Sequence, residues 1–270
     1  MRVSRLLDSV MYSWKTVLVT IGLLFGLKVW NPYLIENITW SWFDFLHQQH
    51  EIEKVEEIVL VDIDEKSLEK YGQYPWPRDI YADIMMESSY TNSHVFTQLF
   101  KEPDRFDGDA KFAEGLINRL TVLSAAPTIQ KDTGSAPIVR TSVFGGGEIK
   151  DHIWNFSGIA SPVEMLKQNT YGVGVTVATP SISGTPNFDG TIRSAPLIVS
   201  ANEQIYPSVA LEVLRVFGDH KNYQTRVTPE VGIEWIRMGR AAPIETTPTA
   251  DIQIAYWYDF DRISAADLSE

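Results

Sequence analysis

The fold is decided at residues 58–63, which read Ile-Val-Leu-Val-Asp-Ile. The run is apolar without the alternation of a half-buried strand, so it predicts a strand covered on both faces, as in a parallel sheet. The elements predicted after it are a helix at 66–70, a helix capped by Asp79, a strand at 95–100, a helix capped by Asp109 and a strand at 122–126. This β-α-β-α-β order predicts parallel strands joined by crossover helices.

The middle of the chain is less regular. Residues 128–160 show few periodic runs, which predicts a long insertion. Strands are predicted at 172–177 and 192–200. The turn residues at 187–190 lie between them and favour a hairpin.

The last third predicts one helix and one strand. The helix opens at Pro207 and stops at Gly218; residues 219–251 are polar and turn-rich, and a strand is expected at 252–258. The expected fold class is therefore α/β, with a largely parallel central sheet, crossover helices, an irregular middle insertion and an N-terminal transmembrane helix.

An apolar run near the N-terminus predicts a membrane anchor. The stretch at 17–27 is as short as a signal-peptide core, but the window 16–35 reaches about 30 Å at ~1.5 Å per residue. Trp14 and Trp30 lie at its ends, where headgroups favour aromatic side chains. The first alanine is Ala82, so the small residues of a cleavage site are missing. We expect an uncleaved anchor; the alternatives are a cleaved signal and a buried helix of a soluble protein.

Charge predicts the orientation of this anchor. Arg2, Arg5 and Lys15 precede the apolar run, against the single acid Asp8, and basic residues are retained in the cytoplasm. The predicted organisation is a cytoplasmic leader and anchor at 1–35, a membrane-proximal helix at 36–57 and an extracytoplasmic domain at 58–270.

Composition excludes some partners and chemistries. The net charge is −12; the first 15 residues carry +2, which leaves −14 for the rest and argues against nucleic acid as a partner. The chain has no cysteine, so it has neither a disulfide nor a thiolate. This absence fits a bacterial periplasm.

Four passages make the chain resemble a known family, the second type of CHASE domain, a sensor module of bacterial membrane receptors. The passages are Ile-Val-Leu-Val-Asp-Ile-Asp-Glu-Lys-Ser-Leu at 58–68, Pro-Trp-Pro-Arg at 75–78, Phe-Lys-Glu-Pro at 100–103 followed by Asp109, and Asp-Gly-Thr-Ile-Arg at 189–193 with Ala-Pro-Leu at 195–197 and Pro-Ser-Val-Ala-Leu-Glu at 207–212. Their order and spacing fit over residues 50 to 215.

The resemblance implies an extracytoplasmic domain that senses a signal at the inner membrane. Members usually continue into further transmembrane helices and a cytoplasmic output, often a nucleotide cyclase or a kinase. This chain stops at Glu270, before any second apolar span, which suggests a fragment or an orphan sensor. It also departs from the family near Thr97, where an aspartate is usual, and at 92–94, where a small Gly-Ala step is usual.

Asp62 and Asp64 form the sharpest acidic cluster. They lie at the C-terminal end of the first predicted strand, where α/β sheets bind ligands and hard cations. We therefore predict them as ligand contacts. The alternatives are that Asp64 caps the next helix, with Ser67 nearby, or that the pair serves metal binding or catalysis.

Trp76, Arg78 and Arg193 complete the predicted ligand residues. Prolines on both sides of Trp76 stiffen its turn, and an exposed indole beside an arginine suits an anionic or aromatic ligand. In the alternative, Trp76 fills the core while Arg78 pairs with Asp62 or Asp64. Arg193 follows a predicted Asp-Gly turn, and a structural ion pair is the alternative for it.

The predicted function is extracytoplasmic sensing of a small-molecule or envelope signal, passed to an output outside this chain. No cofactor motif is found, and the chain is not expected to be an enzyme itself. His47 and His50 are a weak metal pair without a third ligand. The expected partners are the inner membrane and a second copy of the chain. The alternatives are an exported metal-dependent hydrolase that uses Asp62 and Asp64, and a docking protein of the envelope.

Overall fold

The computed structural model describes residues 14–30, 32–88, 91, 93–130, 141–177 and 191–269. The chain divides into two compact units. One contains residues up to Ile58 together with Ala255–Phe260, and the other contains Val59–Ile254 and Asp261–Glu270.

The first unit contains two helices, α1 (Trp14–Trp30) and α2 (Pro32–Gln48). Strand β1 (Glu53–Asp62) starts in this unit and ends in the second. It pairs with β15 (Tyr258–Ser264), which also crosses the boundary. A 3₁₀ turn, Ala265–Ser269, follows β15.

The second unit is built around a parallel sheet in which β3 (Leu120–Thr128) is central. Strands β2 (Ser93–Phe96) and β7 (Gly172–Val175) flank it, with Val95 opposite Val122 and Val122 opposite Gly172. Strand β6 (Gly158–Ala160) pairs antiparallel with the end of β3. Around this sheet the chain forms α3 (Glu65–Tyr71), α4 (Arg78–Glu87), α5 (Asp109–Leu116) and α6 (Glu164–Asn169).

The remaining strands form small antiparallel and mixed sheets. They are β4 (Thr141–Phe144), β5 (Asn155–Phe156), β8 (Ser194–Pro196), β9 (Ile198–Ala201), β10 (Gln204–Pro207), β11 (Tyr223–Thr228), β12 (Gly232–Met238), β13 (Ile244–Glu245) and β14 (Asp251–Gln253). They are ordered β10-β9-β5, β13-β12-β11-β4 and β14-β8. Helix α7 (Val209–Phe217) follows β10.

Two cores hold the second unit together. One is rich in aromatic rings, with Tyr81, Phe96, Phe100 and Phe112 packed edge-to-face or tilted at centroid distances of 5.1–6.2 Å. The other is largely aliphatic; its buried members are Ile149, Ile153, Leu197, Ile198, Leu211, Tyr223, Val227, Ile233, Ile236, Met238 and Ala250. Such burial is the main favourable term in folding.

The parallel α/β expectation is confirmed for β2 and β3, and β7 adds a third parallel strand that was not predicted there. The expectation fails for β1, the strand from which it started. β1 joins the two-stranded sheet with β15, and Val59 and Val61 are 47% and 46% exposed. The expected burial of both faces is therefore wrong. An apolar composition predicts a strand but does not choose its neighbour, and here the neighbour is the distant β15.

Three further expectations need correction. The predicted hairpin is wrong, because β7 pairs with β3, whereas β8 pairs with β14; the turn at 187–190 lies outside the described residues. The polar stretch at 219–251, predicted as turn-rich, contains the antiparallel pair β11–β12. Residues Tyr223–Thr228 are alternately more and less buried along the strand. Pro77 and Gly108 occupy the N-cap positions of α4 and α5. They lie two residues before the predicted Asp79 and one residue before the predicted Asp109.

Candidate functional site

Arg78 ties two of the family passages together. Its buried guanidinium forms an ion pair with Asp109 and donates to the carbonyl of Glu102, and it lies 5.4 Å from the centroid of the Phe100 ring. The predicted alternative partners, Asp62 and Asp64, are therefore wrong for Arg78. The true partner is an aspartate at the start of α5, which a local pattern cannot single out.

Asp104 closes the same network from the backbone side. One of its carboxylate oxygens accepts hydrogen bonds from the amides of Arg78 (3.1 Å) and Gly108 (2.9 Å), while its own amide donates to Asp109 (3.0 Å). A Cβ on Gly108 would lie 2.7 Å from that oxygen, so only glycine fits the close approach. The passages at 75–78 and 100–109 thus form one rigid corner.

Trp76 fills the aromatic core. Its side chain is only 4% exposed, its indole nitrogen donates to the carbonyl of Gly72 at 2.7 Å, and its ring centroid lies 5.2 Å from that of Tyr71 and 6.0 Å from that of Tyr81. The expectation of an exposed indole is wrong. The alternative, in which Trp76 packs into the core, is the arrangement observed.

Asp64 is the N-cap of α3. It accepts hydrogen bonds from the amide of Ser67 (2.9 Å), the hydroxyl of Ser67 (2.7 Å) and the hydroxyl of Ser264 (2.7 Å). The hydroxyls of Ser264 and Ser67, together with the Ser67 amide, stabilise the carboxylate and lower the pKa of Asp64 from 3.8 to about 2. The alternative, in which Asp64 caps the helix, is the arrangement observed.

The C-terminal segment is held to the region that follows β1 by contacts on both sides of Asp64. Arg262 donates to Asp62 at 3.1 Å, Lys70 donates to the carbonyl of Ala266 at 2.7 Å, and Lys66 pairs with Asp267. We call the contacts of Asp62, Asp64, Lys66, Ser67 and Lys70 with residues 262–267 the terminal clasp. It lies entirely within the second unit.

Sequence reasoning found the N-terminal half of the terminal clasp and missed the other half. Ser264 and Ala266 were not singled out, because small residues after a polar strand carry no signal of their own. Asp62 and Asp64 both contact the C-terminal segment, Asp62 through Arg262 and Asp64 through Ser264. Whether either contacts a ligand stays a prediction.

Arg193 lies elsewhere in the second unit. It is buried and directly precedes β8; its carbonyl accepts from the amide of Ile254 at 3.0 Å, which extends the β8–β14 pairing. Its predicted neighbour in the turn, Asp189, lies outside the described residues. A ligand role for Arg193 likewise stays a prediction.

The fourth family passage forms a buried ion pair. Ser208 caps α7, and Glu212, only 1% exposed, receives two hydrogen bonds from Arg215 (2.8 and 2.6 Å) and one from the hydroxyl of Tyr223. Burial, and then the Glu212 carboxylate, raise the pKa of Tyr223 well above its usual range. This passage therefore locks α7 to β11.

A second cluster that the sequence did not predict lies in the first unit. At the end of α2 the rings of His47 and His50 have centroids 4.9 Å and 4.3 Å from that of Trp257, which directly precedes β15. The amide of Glu53 donates to the carbonyl of Trp257 at 2.8 Å. We call these three aromatic residues the His–Trp junction. The Tyr-Trp-Tyr run at 256–258 was the only available signal.

The alternative of a metal-dependent hydrolase requires side chains that can hold a metal ion. Among the described residues, no group of three or more histidine, aspartate or glutamate side chains is placed to hold a metal ion. One oxygen of Asp64 already accepts three hydrogen bonds. The hydrolase alternative is not supported by these findings.

Within the described ranges, no helix is both long enough and apolar enough to cross a membrane. The fold is an α/β domain. The terminal clasp holds its C-terminal segment against the end of β1 and against α3.

The chain belongs to the CHASE2 domain family, whose family model matches residues 16–270, and the resemblance seen in the four passages is confirmed. This is a family of sensory receptor domains. A comparison with curated proteins gave no match, and a comparison with solved structures gave none either.

Proposed function

We propose that the chain is the extracytoplasmic sensing part of a bacterial inner-membrane receptor. It responds to a small-molecule or envelope signal and passes the response to a cytoplasmic cyclase or kinase outside this chain. The chain itself performs no catalysis. Membership of a sensory family supports the first part of this proposal.

The terminal clasp is the observation that carries the mechanism. It joins the exit of β1, which follows the membrane-proximal helix in sequence, to residues 262–267 near the other end of the domain. A change in the domain core that displaces α3 would therefore displace β1 and residues 262–267 together. A signal biases such an equilibrium only through its different affinity for the two arrangements.

Helix α1 supports attachment to a membrane. From Val17 to Leu27 it carries no charged side chain, and Leu23 and Phe25 are each 68% exposed. A helix with this character needs an apolar surrounding, either a protein core or a bilayer. We propose a bilayer, with the leader in the cytoplasm and the second unit in the periplasm.

Topology can be tested directly because the chain has no cysteine. We would introduce Glu230→Cys, in the exposed turn between β11 and β12, or Ser4→Cys, in the leader, and label whole cells with a membrane-impermeant maleimide. Position 230 should react in intact cells and position 4 only after permeabilisation. The reverse pattern would refute the proposed location.

Sensing itself requires an output. Residues 1–270 fused to the transmembrane and cyclase segments of a receptor of known output should give a cyclase activity that changes with growth condition. Ser264→Ala should alter that activity, since it opens the terminal clasp, whereas the exposed Ser142→Ala should not. An output identical in all three chains under every condition would contradict the proposal. Crosslinking of the same fusion would test for a homodimer.

A further inference from the structure

We propose that the His–Trp junction binds a proton and makes this sensor respond to acid. The inference rests on the proposed sensing function and names one stimulus for it. It is carried by the position of two histidines against one indole, where the membrane-proximal helix meets the segment that leads into β15.

The geometry suits a protonated ring. The His50 ring is stacked on Trp257, with 25° between the two planes and 4.3 Å between centroids, and the His47 ring is tilted at 50° and 4.9 Å. A cation near the face of an indole is attracted by the ring quadrupole, and tryptophan is the strongest such partner. Protonation therefore strengthens the contact between α2 and Trp257.

The tautomer of His47 determines which ring nitrogen can accept a proton. The Nδ1 atom of His47 lies 3.2 Å from the carbonyl oxygen of Phe43, and a carbonyl only accepts, so Nδ1 carries the hydrogen. Nε2 is then the atom that gains a proton in acid. His47 also lies in the last turn of α2, where the helix dipole favours a positive charge.

The surrounding charges are mostly negative. Between Lys28 and Lys54 the sequence has no lysine or arginine, so the two histidines are the only side chains in that stretch that can become cations. The ionisable groups of the neighbouring segments are Asp44 on α2, Glu51 after it, Glu53 and Lys54 at the start of β1, and Tyr256, Tyr258 and Asp259 around Trp257, so the carboxylates outnumber the one lysine. One added positive charge is thus introduced into an acidic region.

Two protons are not independent here. The His47 and His50 ring centroids are 6.4 Å apart, so the second charge is repelled by the first. Imidazole is the side chain that titrates in the range in which a periplasm acidifies.

The test uses the full chain in nanodiscs with spin labels at Gln49→Cys and Asp259→Cys. Both positions are exposed; Gln49 lies between the two histidines and Asp259 two residues after Trp257, in a chain without other thiols. The distance distribution between the labels should narrow by at least about a third from pH 8 to pH 5.5. His47→Gln/His50→Gln should remove that narrowing, and Trp257→Leu should remove it with both histidines present.

The outcomes separate this inference from the proposed function. A distribution that is unchanged between pH 8 and 5.5, or that narrows equally in the double histidine variant, overturns the proton site. A fusion whose output responds to growth conditions but not to pH leaves the sensing function standing without it. Far-UV circular dichroism at both pH values shows whether each variant is folded; if the double variant is unfolded, Trp257→Leu alone decides the inference.

Discussion

Ser264 donates a hydrogen bond to Asp64 across 200 residues of sequence, at 2.7 Å. The acceptor caps the first helix after β1, and the donor ends β15. This contact gives the exposed carboxylate a fixed partner at the opposite end of the domain. The effect of mutation and of pH on the stability of the domain should reveal this contact.

Replacing Ser264 with alanine should loosen the terminal clasp. The variant loses one hydroxyl, which donates to Asp64 and accepts from the amide of Ala266. A net loss of about 1 kcal/mol for this hydroxyl should lower the Tm by about 2–4 °C in a domain of this size. Differential scanning calorimetry would measure it, with Ser142→Ala as the matched control that leaves the Tm unchanged.

Asp64 should make stability depend on pH in strong acid. Its pKa is about 2 in the folded chain and 3.8 without these contacts, so its contribution is complete above pH 4 and is lost as the pH falls from 4 towards 2. Asp64→Asn, which retains a capping side chain, should flatten the stability curve in that window only. Urea unfolding at half-unit pH steps would measure it; equal slopes for both chains would contradict the assignment.

His94 should make the folding stability depend on pH in a second range, above that of Asp64. Burial, followed by the charge of Arg119, lowers the pKa of His94 from 6.5 to about 4, and its Nε2 lies 2.8 Å from the hydroxyl of Ser88. Because the neutral ring is favoured in the folded state, stability is lost as the pH falls from 6.5 towards 4. His94→Gln should remove this dependence, while His47→Gln/His50→Gln should retain it. An NMR titration of the His94 ring provides a direct check.

Removing one partner of the buried ion pair between Glu212 and Arg215 should destabilise the domain. Arg215→Ala leaves a carboxylate buried without its cation, which should lower the free energy of unfolding by about 3–5 kcal/mol. The double variant Glu212→Gln/Arg215→Met should recover part of that loss. Arg226→Ala, which breaks the exposed pair with Glu234, should cost about 0–1 kcal/mol in the same urea experiment.

Gly174 should tolerate no side chain. A Cβ there would lie 2.4 Å from the Cα of Val209, whereas a Cβ on Gly115 would lie 3.8 Å from its nearest neighbours. Gly174→Ala should therefore cost at least about 1–3 kcal/mol, because backbone must move. Gly115→Ala, inside helix α5, should be neutral or stabilising by up to about 1 kcal/mol. Thermal unfolding of the two variants side by side decides it.

Local features were predicted well from sequence. The predicted bounds of α7, Pro207 and Gly218, lie within two residues of the observed helix. The cap of α3 by Asp64 was among the alternatives, and the crossover pattern around β3 follows from alternating strand and helix periods. Each depends on residues within a few positions of one another, where hydrogen bonding and side-chain spacing are fixed by the chain itself.

The tertiary structure alone decided the partners. Residues 58–63 determined that a strand would form but not that it would pair with β15, and the Pro-Trp-Pro-Arg passage determined a stiff corner but not that Trp76 would be buried or that Arg78 would choose Asp109. Backbone ladders and carboxylate–guanidinium pairs are chemically alike wherever they form. Which of them form depends on which surfaces the packed cores bring within about 3 Å, and sequence spacing does not contain that information.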